Sequence, residues 1–303
     1  MPNHVVNVVL TTYNQETLVS RAIDSVLNQV TDFPYNLIIG EDCSLDGTLD
    51  VCKRYVEDNP GKIILIHSDT NVGLIKNYQR CFKECDADLI AILEGDDYWT
   101  DIYKLQKQVS EFAKDATLGL VHTNYQPLFH ESNKLGDISR ASLNRKIACQ
   151  GHNQFVNILR QNFICSITVM FKREVLNEID FDYFDEAGCN TVDYIIWLQL
   201  SQKFSILYMD HKTAVYRISN FSISNSNNFE KTLKFNDTKL KIAKYYLTKF
   251  PSSELEYTTF ESALNAIVFL KACRTLNFGF AINLLSKVNP TGILNALRLW
   301  RNS

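Results

Sequence analysis

The sequence has no C-x-x-C pair, no long apolar run, no G-x-G-x-x-G fingerprint and no marked excess of either charge. Each absence removes a class of protein. The eight cysteines are scattered. Cys81 and Cys85 share a helical face without a nearby histidine, so no zinc site is expected and the thiols read as small buried apolar groups in a reducing cytosol. No apolar stretch approaches the roughly 18 residues a membrane-spanning helix needs. A formal net charge of -3 gives no electrostatic reason to expect nucleic acid as partner. Lacking a glycine-rich phosphate loop after its first strand pattern, the chain fits neither a Rossmann dehydrogenase nor a nucleotidyltransferase. Internal repeats and low-complexity segments are missing too. Met1-Pro2-Asn3-His4 runs directly into a strand pattern, so no signal peptide is expected and the location is expected to be cytoplasmic.

What is present is enough for a large core. The chain has 303 residues, 46% of them hydrophobic, which argues for one large globular domain or a main domain with an appendage. Val5 to Thr12 is β-branched and reads as a buried strand. A helix is expected from about Glu16, with Val19, Ile23, Val26 and Leu27 on one face. Tyr35 to Ile39 reads as a second strand, and a helix with Val51, Cys52, Tyr55 and Val56 inward follows. Lys62 to His67 reads as a third strand. Asn71-Val72-Gly73 then opens a helix that turns Leu74, Tyr78, Cys81, Phe82 and Cys85 to the core. Strand and helix alternate over short connections, which predicts βαβ units and a parallel sheet.

The fourth strand carries the strongest signal, Leu89-Ile90-Ala91-Ile92-Leu93-Glu94-Gly95-Asp96-Asp97-Tyr98-Trp99. A continuous apolar run reads as a strand buried on both faces. It breaks into three carboxylates around one glycine, where like charges repel and a divalent cation relieves them. Ligands of such sheets bind beyond the carboxyl ends of the strands. Thr11-Thr12-Tyr13-Asn14, Glu41-Asp42 and Glu94-Gly95-Asp96-Asp97 are therefore expected along one edge. Asp46 reads as a cap for the following helix, and Asp42 as a ligand contact for a base or ribose.

The rhythm changes after Trp99. A helix is expected over Tyr103 to Lys114 and strands over Leu118 to Tyr125 and Phe163 to Phe171. Ser132 to Cys149 reads as a loop. A helix capped by Thr191 is expected to run to Gln202 with Asp193 in its first turn. Short strands are expected at Ser205 to Met209 and Thr213 to Arg217, followed by a helical region from about Glu230. Asp193 is a candidate general base, set against the plainer reading of a first-turn acid stabilised by the helix dipole.

Thr11-Thr12-Tyr13-Asn14, Glu41-Asp42-Cys43-Ser44-Leu45-Asp46-Gly47-Thr48, Asn71-Val72-Gly73 and Glu94-Gly95-Asp96-Asp97-Tyr98-Trp99 together resemble the family 2 glycosyltransferases, in that family's order and spacing. The resemblance implies an α/β GT-A fold over residues 1–225, with a nucleotide-sugar-binding half (1–110) and an acceptor half (111–225), and a helical C-terminal extension (226–303). It implies an inverting transfer from a nucleotide-sugar donor, usually UDP-linked, to a glycan or lipid-linked saccharide acceptor, with Mn²⁺ or Mg²⁺ as cofactor. The family's work in cell-envelope polysaccharide biosynthesis fits that reading. Residue by residue, it implies nucleotide contacts for Thr11, Tyr13, Glu16, Asp42, Asn71, Asp96 and Arg217. Glu94, Asp96 and Asp97 match the metal region, and Asp193 matches the catalytic base.

Three departures from the family pattern stand out. Glu94 replaces the usual first Asp, and Val192 stands where Glu often precedes the base. Ile218-Ser219 follows Tyr216-Arg217 where a histidine is common, which leaves Arg217 as the main cation expected at the phosphates. Ser222 and Ser224 complete that late segment. The alternative reading is a non-catalytic module that binds nucleotide sugar without transferring it. The lysine-rich Lys231 to Lys249 suits a solvated face or an anionic lipid surface. Ile293, Leu297 and Trp300, beside Arg298 and Arg301, suit an amphipathic helix that packs on the main domain, on a second subunit in a homodimer, or on a membrane.

Overall fold

The structure is a computed structural model describing residues 5–219, 229–251 and 257–274. Among these residues nine strands form one sheet. Strands β1 (Val6–Thr12), β2 (Tyr35–Glu41), β3 (Ile63–Ile66) and β4 (Leu89–Glu94) are the parallel half. Helices α1 (Val19–Leu27), α2 (Thr48–Asp58) and α3 (Leu74–Lys83) connect them. The first helix starts at Val19 rather than near Glu16, because Gln15 to Leu18 form a turn that carries the chain away from the sheet edge.

The period of two along the strands divides the core into two layers. Val6, Val8 and Leu10 pack with Leu37, Ile39, Ala91 and Leu93 against Val19, Ile23 and Val51. Val9, Ile38, Ile90 and Ile92 face the other way, onto Ile75, Tyr78, Cys81 and Phe82 of α3. Strand β1, buried at every position, sits between β2 and β4.

The second half is antiparallel to β4 where it joins. β8 (Met170–Lys172) pairs β4, and β6 (Leu118–Phe129) pairs β8. β9 (Ser205–Ile218) runs parallel to β6, and the two-residue β5 (Tyr98–Trp99) pairs its far end. Helix α4 (Lys104–Lys114) falls where the periodicity places it. Three expectations need correction. Ser205 to Met209 and Thr213 to Arg217 are one strand, because the polar residues between them continue the pairing with β6 through register shifts. Phe163 to Phe171 is mostly not a strand. Ser166–Thr168 is a 3-10 turn, and only Met170 and Phe171 of that stretch pair β4 and β6.

Ser132 to Cys149 is not a plain loop either. It holds a short β7 (Lys134–Leu135) and helix α5 (Arg140–Ala148), whose N-terminus is capped by the Ser139 hydroxyl. Helix α6 (Phe155–Arg160) and helix α7 (Phe181–Glu186) lead to α8 (Asp193–Leu200). α8 is apolar all round, as a helix must be when every side is covered. Trp197 is fully buried edge-on to Phe171, with ring centroids 5.6 Å apart.

α9 (Phe229–Lys249) and α10 (Tyr257–Arg274) follow. Ile242, Ala243, Tyr246, Phe260 and Leu264 join the same core layer as α3 and α8. The lysines of α9 hold it to the body of the protein. Lys241 Nζ donates to the Ala187 carbonyl at 2.9 Å, and Lys249 Nζ to the Glu178 carbonyl and Gln199 Oε1 at 2.9 and 3.0 Å. Among the described residues no helix is long and apolar enough to cross a membrane. Ser222, Ser224, Ile293, Leu297, Arg298, Trp300 and Arg301 lie outside the described residues.

Candidate active site

The carboxyl ends of β1, β2 and β4 open into a cavity of about 1160 Å³. The end of β1 links its neighbours: the Thr11 carbonyl accepts Gly95 N–H at 3.0 Å, and the Thr12 carbonyl accepts Asp42 N–H at 3.2 Å. Thr11, Tyr13, Asp42, Asn71, Asp96 and Arg217 all line the cavity. Glu16 does not. Its carboxylate accepts Gly47 N–H at 3.1 Å, and its own N–H reaches Asp46 Oδ2 at 3.1 Å, so it braces the turn before α2.

Adjacent acids at the end of β2 have different tasks. Asp42 faces the cavity, its two oxygens accepting Val72 N–H and Gly73 N–H at 2.8 and 3.0 Å, while its carbonyl accepts from Asn71 Nδ2 at 3.0 Å. Glu41, expected at the same edge, is fully buried and turned inward. It accepts Cys43 N–H and Ser44 N–H and lies 2.8 Å from His67 Nδ1. Cys43 sits at φ 58°, a left-handed conformation that L side chains seldom adopt. The buried carboxylate beneath it fixes the turn. Asp46 Oδ1 accepts Thr48 N–H at 3.1 Å, but Gly47 is the N-cap of α2, so Asp46 supports the turn before the helix and does not cap it as expected.

The acids after β4 converge: Glu94, Asp96 and Asp97 bring one oxygen each within 4.8 Å of the others. Burial, and then the Asp96 charge, raise Glu94 to about 7. Burial also raises Asp96, against help from Arg217 and the Gln15 side chain. Asp97, 2% exposed, is pushed well above the usual carboxylate range by burial and by both neighbouring acids. Its Oδ1 accepts Arg217 N–H at 2.6 Å, but its buried Oδ2 has no hydrogen-bond partner among the described residues. An orphaned oxygen among three crowded acids fits a divalent cation, which accepts oxygen ligands and removes the repulsion. Gly95 is required between them, because a Cβ there would lie 2.7 Å from Thr12 Oγ1.

Asp193 enters the same cavity from the N-terminus of the buried α8. Its Oδ2 accepts from Asn162 Nδ2 at 2.9 Å and its Oδ1 from the Thr191 hydroxyl. Thr191 thus orients Asp193 and does not cap the helix as expected. The Asp193 charge is among the causes that raise Glu94, which puts the two acids in one electrostatic neighbourhood. Arg217 closes the side of these acids, with Nε donating to the Asp96 carbonyl at 3.1 Å and Nη1 lying 3.3 Å from His130 Nδ1.

Several residues that complete this site went unnoticed in the sequence. Ser166 Oγ donates to Glu94 Oε1 at 3.0 Å, and Asn162 holds Asp193. His130, Lys146, Phe235 and Lys239 also line the cavity. None stands in a local pattern. Each reaches the site through pairing or packing with distant segments.

A mostly parallel sheet bearing crowded acids at its carboxyl edge and a separate acid across the cavity defines a GT-A fold. The chain belongs to Glycosyl transferase family 2, whose sequence model matches residues 7–180. It is 26% identical over 213 residues to an uncharacterised protein of Mycobacterium tuberculosis, covering 70% of this chain and 58% of that protein, so it spans under two thirds of that relative's length. It is also 26% identical over 232 residues to the UDP-Glc:alpha-D-GlcNAc-diphosphoundecaprenol beta-1,3-glucosyltransferase WfgD of Escherichia coli, covering 76% of this chain and 83% of WfgD. In fold it is similar to the mannosyltransferase PcManGT of Pyrobaculum calidifontis in complex with GDP-Man and Mn²⁺. The TM-score is 0.60 at 15% identity, covering 98% of this chain and 84% of the other.

Proposed function

We propose that the chain is an inverting glycosyltransferase that takes a hexosyl or N-acetylhexosaminyl group from a UDP-sugar and attaches it to a hydroxyl of a glycan or lipid-linked saccharide. One observation carries this reading: Asp193 and the acids after β4 share a cavity, yet each set has its own supports. Transfer needs such a division. One carboxylate takes a proton while a separate group bears the charge of the leaving diphosphate.

Asp193 accepts the proton of the acceptor hydroxyl. The acceptor oxygen then bonds to the anomeric carbon as the carbon–oxygen bond to the diphosphate breaks. The nucleoside diphosphate leaves with the electron pair, and attack from the opposite face inverts the configuration. Asn162 and Thr191 aim the Asp193 carboxylate, each donating a hydrogen bond to one of its oxygens. Glu94, Asp96 and Asp97 would hold Mn²⁺ or Mg²⁺, which supplies positive charge to the leaving diphosphate when bound.

Asp42 is proposed to meet the base. Its carboxylate accepts two loop amides and still has acceptor capacity for a base N–H. Thr11, Tyr13, Asn71, Asp96 and Arg217 form the remaining donor contacts in this reading. The UDP-linked donor and diphosphoundecaprenol-linked acceptor in WfgD's name favour UDP and a lipid-linked acceptor. The Mn²⁺ of the PcManGT complex favours a divalent ion.

Calorimetric titration with UDP, GDP and dTDP, each with and without Mn²⁺, tests the reading. UDP binding that strengthens with Mn²⁺ and fails in Asp42→Ala and Asp97→Ala is expected. A folded protein that binds no nucleotide would overturn it.

A further inference from the structure

The lysines of α9 divide into two kinds. Lys241 and Lys249 are tied to backbone and side-chain oxygens of the main body. Lys239, on the same helix, lines the cavity and makes no hydrogen bond or ion pair among the described residues. Its ammonium lies 4.9 Å from the ring centre of Phe235, one turn earlier, which also faces the cavity. A half-buried ammonium without an oxygen partner is unfavourable, and burial pulls Lys239 below the ordinary lysine value. The position is costly to the free protein, so its use is to be sought in what binds there.

The donor's phosphates do not account for it. They are expected where Arg217 closes on Asp96 and Asp97, whereas Thr238, next to Lys239, donates to Asn190 Oδ1 at 2.9 Å, three residues before Asp193. Lys239 therefore stands on the side where the acceptor hydroxyl must lie. Lys146 of α5 lines the same cavity, its ammonium 4.8 Å from the Tyr125 ring centre and 3.5 Å from the Thr123 carbonyl. Two lysines thus line the cavity beside the amides and hydroxyls of Gln161, Asn162, Asn190 and Thr191, and of the two only Lys239 is without an oxygen partner among the described residues.

We propose that Lys239 binds an oxyanion carried by the acceptor sugar, so that the acceptor is an anionic saccharide held with its attacking hydroxyl at Asp193. This rests on the transferase reading and adds the acceptor's charge to it. Phosphate on the sugar and a uronic carboxylate share the chemistry Lys239 reads. Phe235 keeps the ammonium at the cavity wall through its ring face.

The test uses the full chain saturated with UDP and Mn²⁺, so that donor-side sites are filled. Methyl glucoside, glucose 1-phosphate and glucuronic acid are titrated calorimetrically into wild type, Lys239→Met and Lys239→Arg. Wild type is expected to prefer at least one anionic sugar over methyl glucoside by roughly tenfold or more, the size of one charge-assisted contact. Lys239→Met should erase that preference without changing methyl glucoside affinity, and Lys239→Arg should restore it. Which anionic arm wins identifies the source of the oxyanion. UDP affinity in each variant serves as the folding check. Equal or absent binding of all three sugars to UDP-loaded wild type, or a preference that survives in Lys239→Met, would overturn the inference alone. Wild type that binds no UDP would remove the transferase reading and this inference with it.

Discussion

Asp97 Oδ1 accepts the backbone N–H of Arg217 at 2.6 Å, joining positions 120 residues apart. The contact fixes the end of β9 against the acids after β4 and leaves Asp97 Oδ2 as the orphan that a cation would claim. Asp97→Asn keeps an oxygen for Arg217 but loses the charge. The strengthening of UDP binding by Mn²⁺ is expected to fall roughly tenfold or more. Tm should hold or rise, because one of three mutually repelling acids is gone. Calorimetry and a thermal melt on the same sample read both, and a large drop in Tm would assign Asp97 to the fold instead.

Asp193→Asn separates an enzyme from a binding module. The amide keeps the size of the side chain but cannot take the acceptor's proton. Transfer is expected to drop by about 10² to 10⁴, the usual contribution of a general base, with UDP affinity preserved. Transfer measured at wild-type rate in this variant would move the base elsewhere in the cavity.

Gly40 is where β2 passes closest to α3. A Cβ there would lie 2.8 Å from Asn77 Oδ1 and closer still to Cys81 Sγ. Gly40→Ala is expected to destabilise by about 1–3 kcal/mol, as overpacking in a dense core does. In a chain of this size that lowers Tm by roughly 2–10 °C. Adding Cys81→Ala should recover part of the loss. No recovery in the double variant would place the strain at Asn77.

Lys104 is fully buried under β5, its Nζ donating to Gln108 Oε1 at 2.7 Å and to the Val169 carbonyl at 3.3 Å, 4.2 Å from the Trp99 ring centre. Burial lowers it to about 7, against an ordinary lysine value of 10.5. Between those values the unfolded chain binds the extra proton, so the penalty for burying this group is relieved as pH rises. The slope approaches about 1.4 kcal/mol per pH unit for one proton. Thermal melts from pH 7.5 to 9.5 should show wild type gaining on Lys104→Met. Parallel curves would mean that Lys104 titrates alike in both states.

The parallel half was legible because its signals are local. Apolar runs such as Leu89 to Leu93 are themselves the buried strands, and the acids behind them follow from chain order. The second half was harder for a physical reason. Phe163 to Phe171 is apolar because the β4 edge and the 3-10 turn both bury it, and apolarity alone does not distinguish a strand from a covered turn. α5 was missed because its exposed polar residues hide any period, although Lys146 turns inward. Glu16 and Asp42 both carried a nucleotide role by resemblance. Only the turn geometry at Gly47 separates a brace from a cavity-facing acid.

The sheet path has a bearing on how such enzymes diverge. β4 and β5 are separated in sequence by the acid segment alone, yet β8, β6 and β9 lie between them across the sheet. Asp96 and Asp97 hang on a connection that leaves the sheet at β4 and rejoins it four places along. Exchange of halves between relatives at residue 110 would transplant the acids without β9, the strand that closes on Asp97. The cavity-lining residues of α5 and α9 are then free to change, while β4, β5 and β9 must be inherited together.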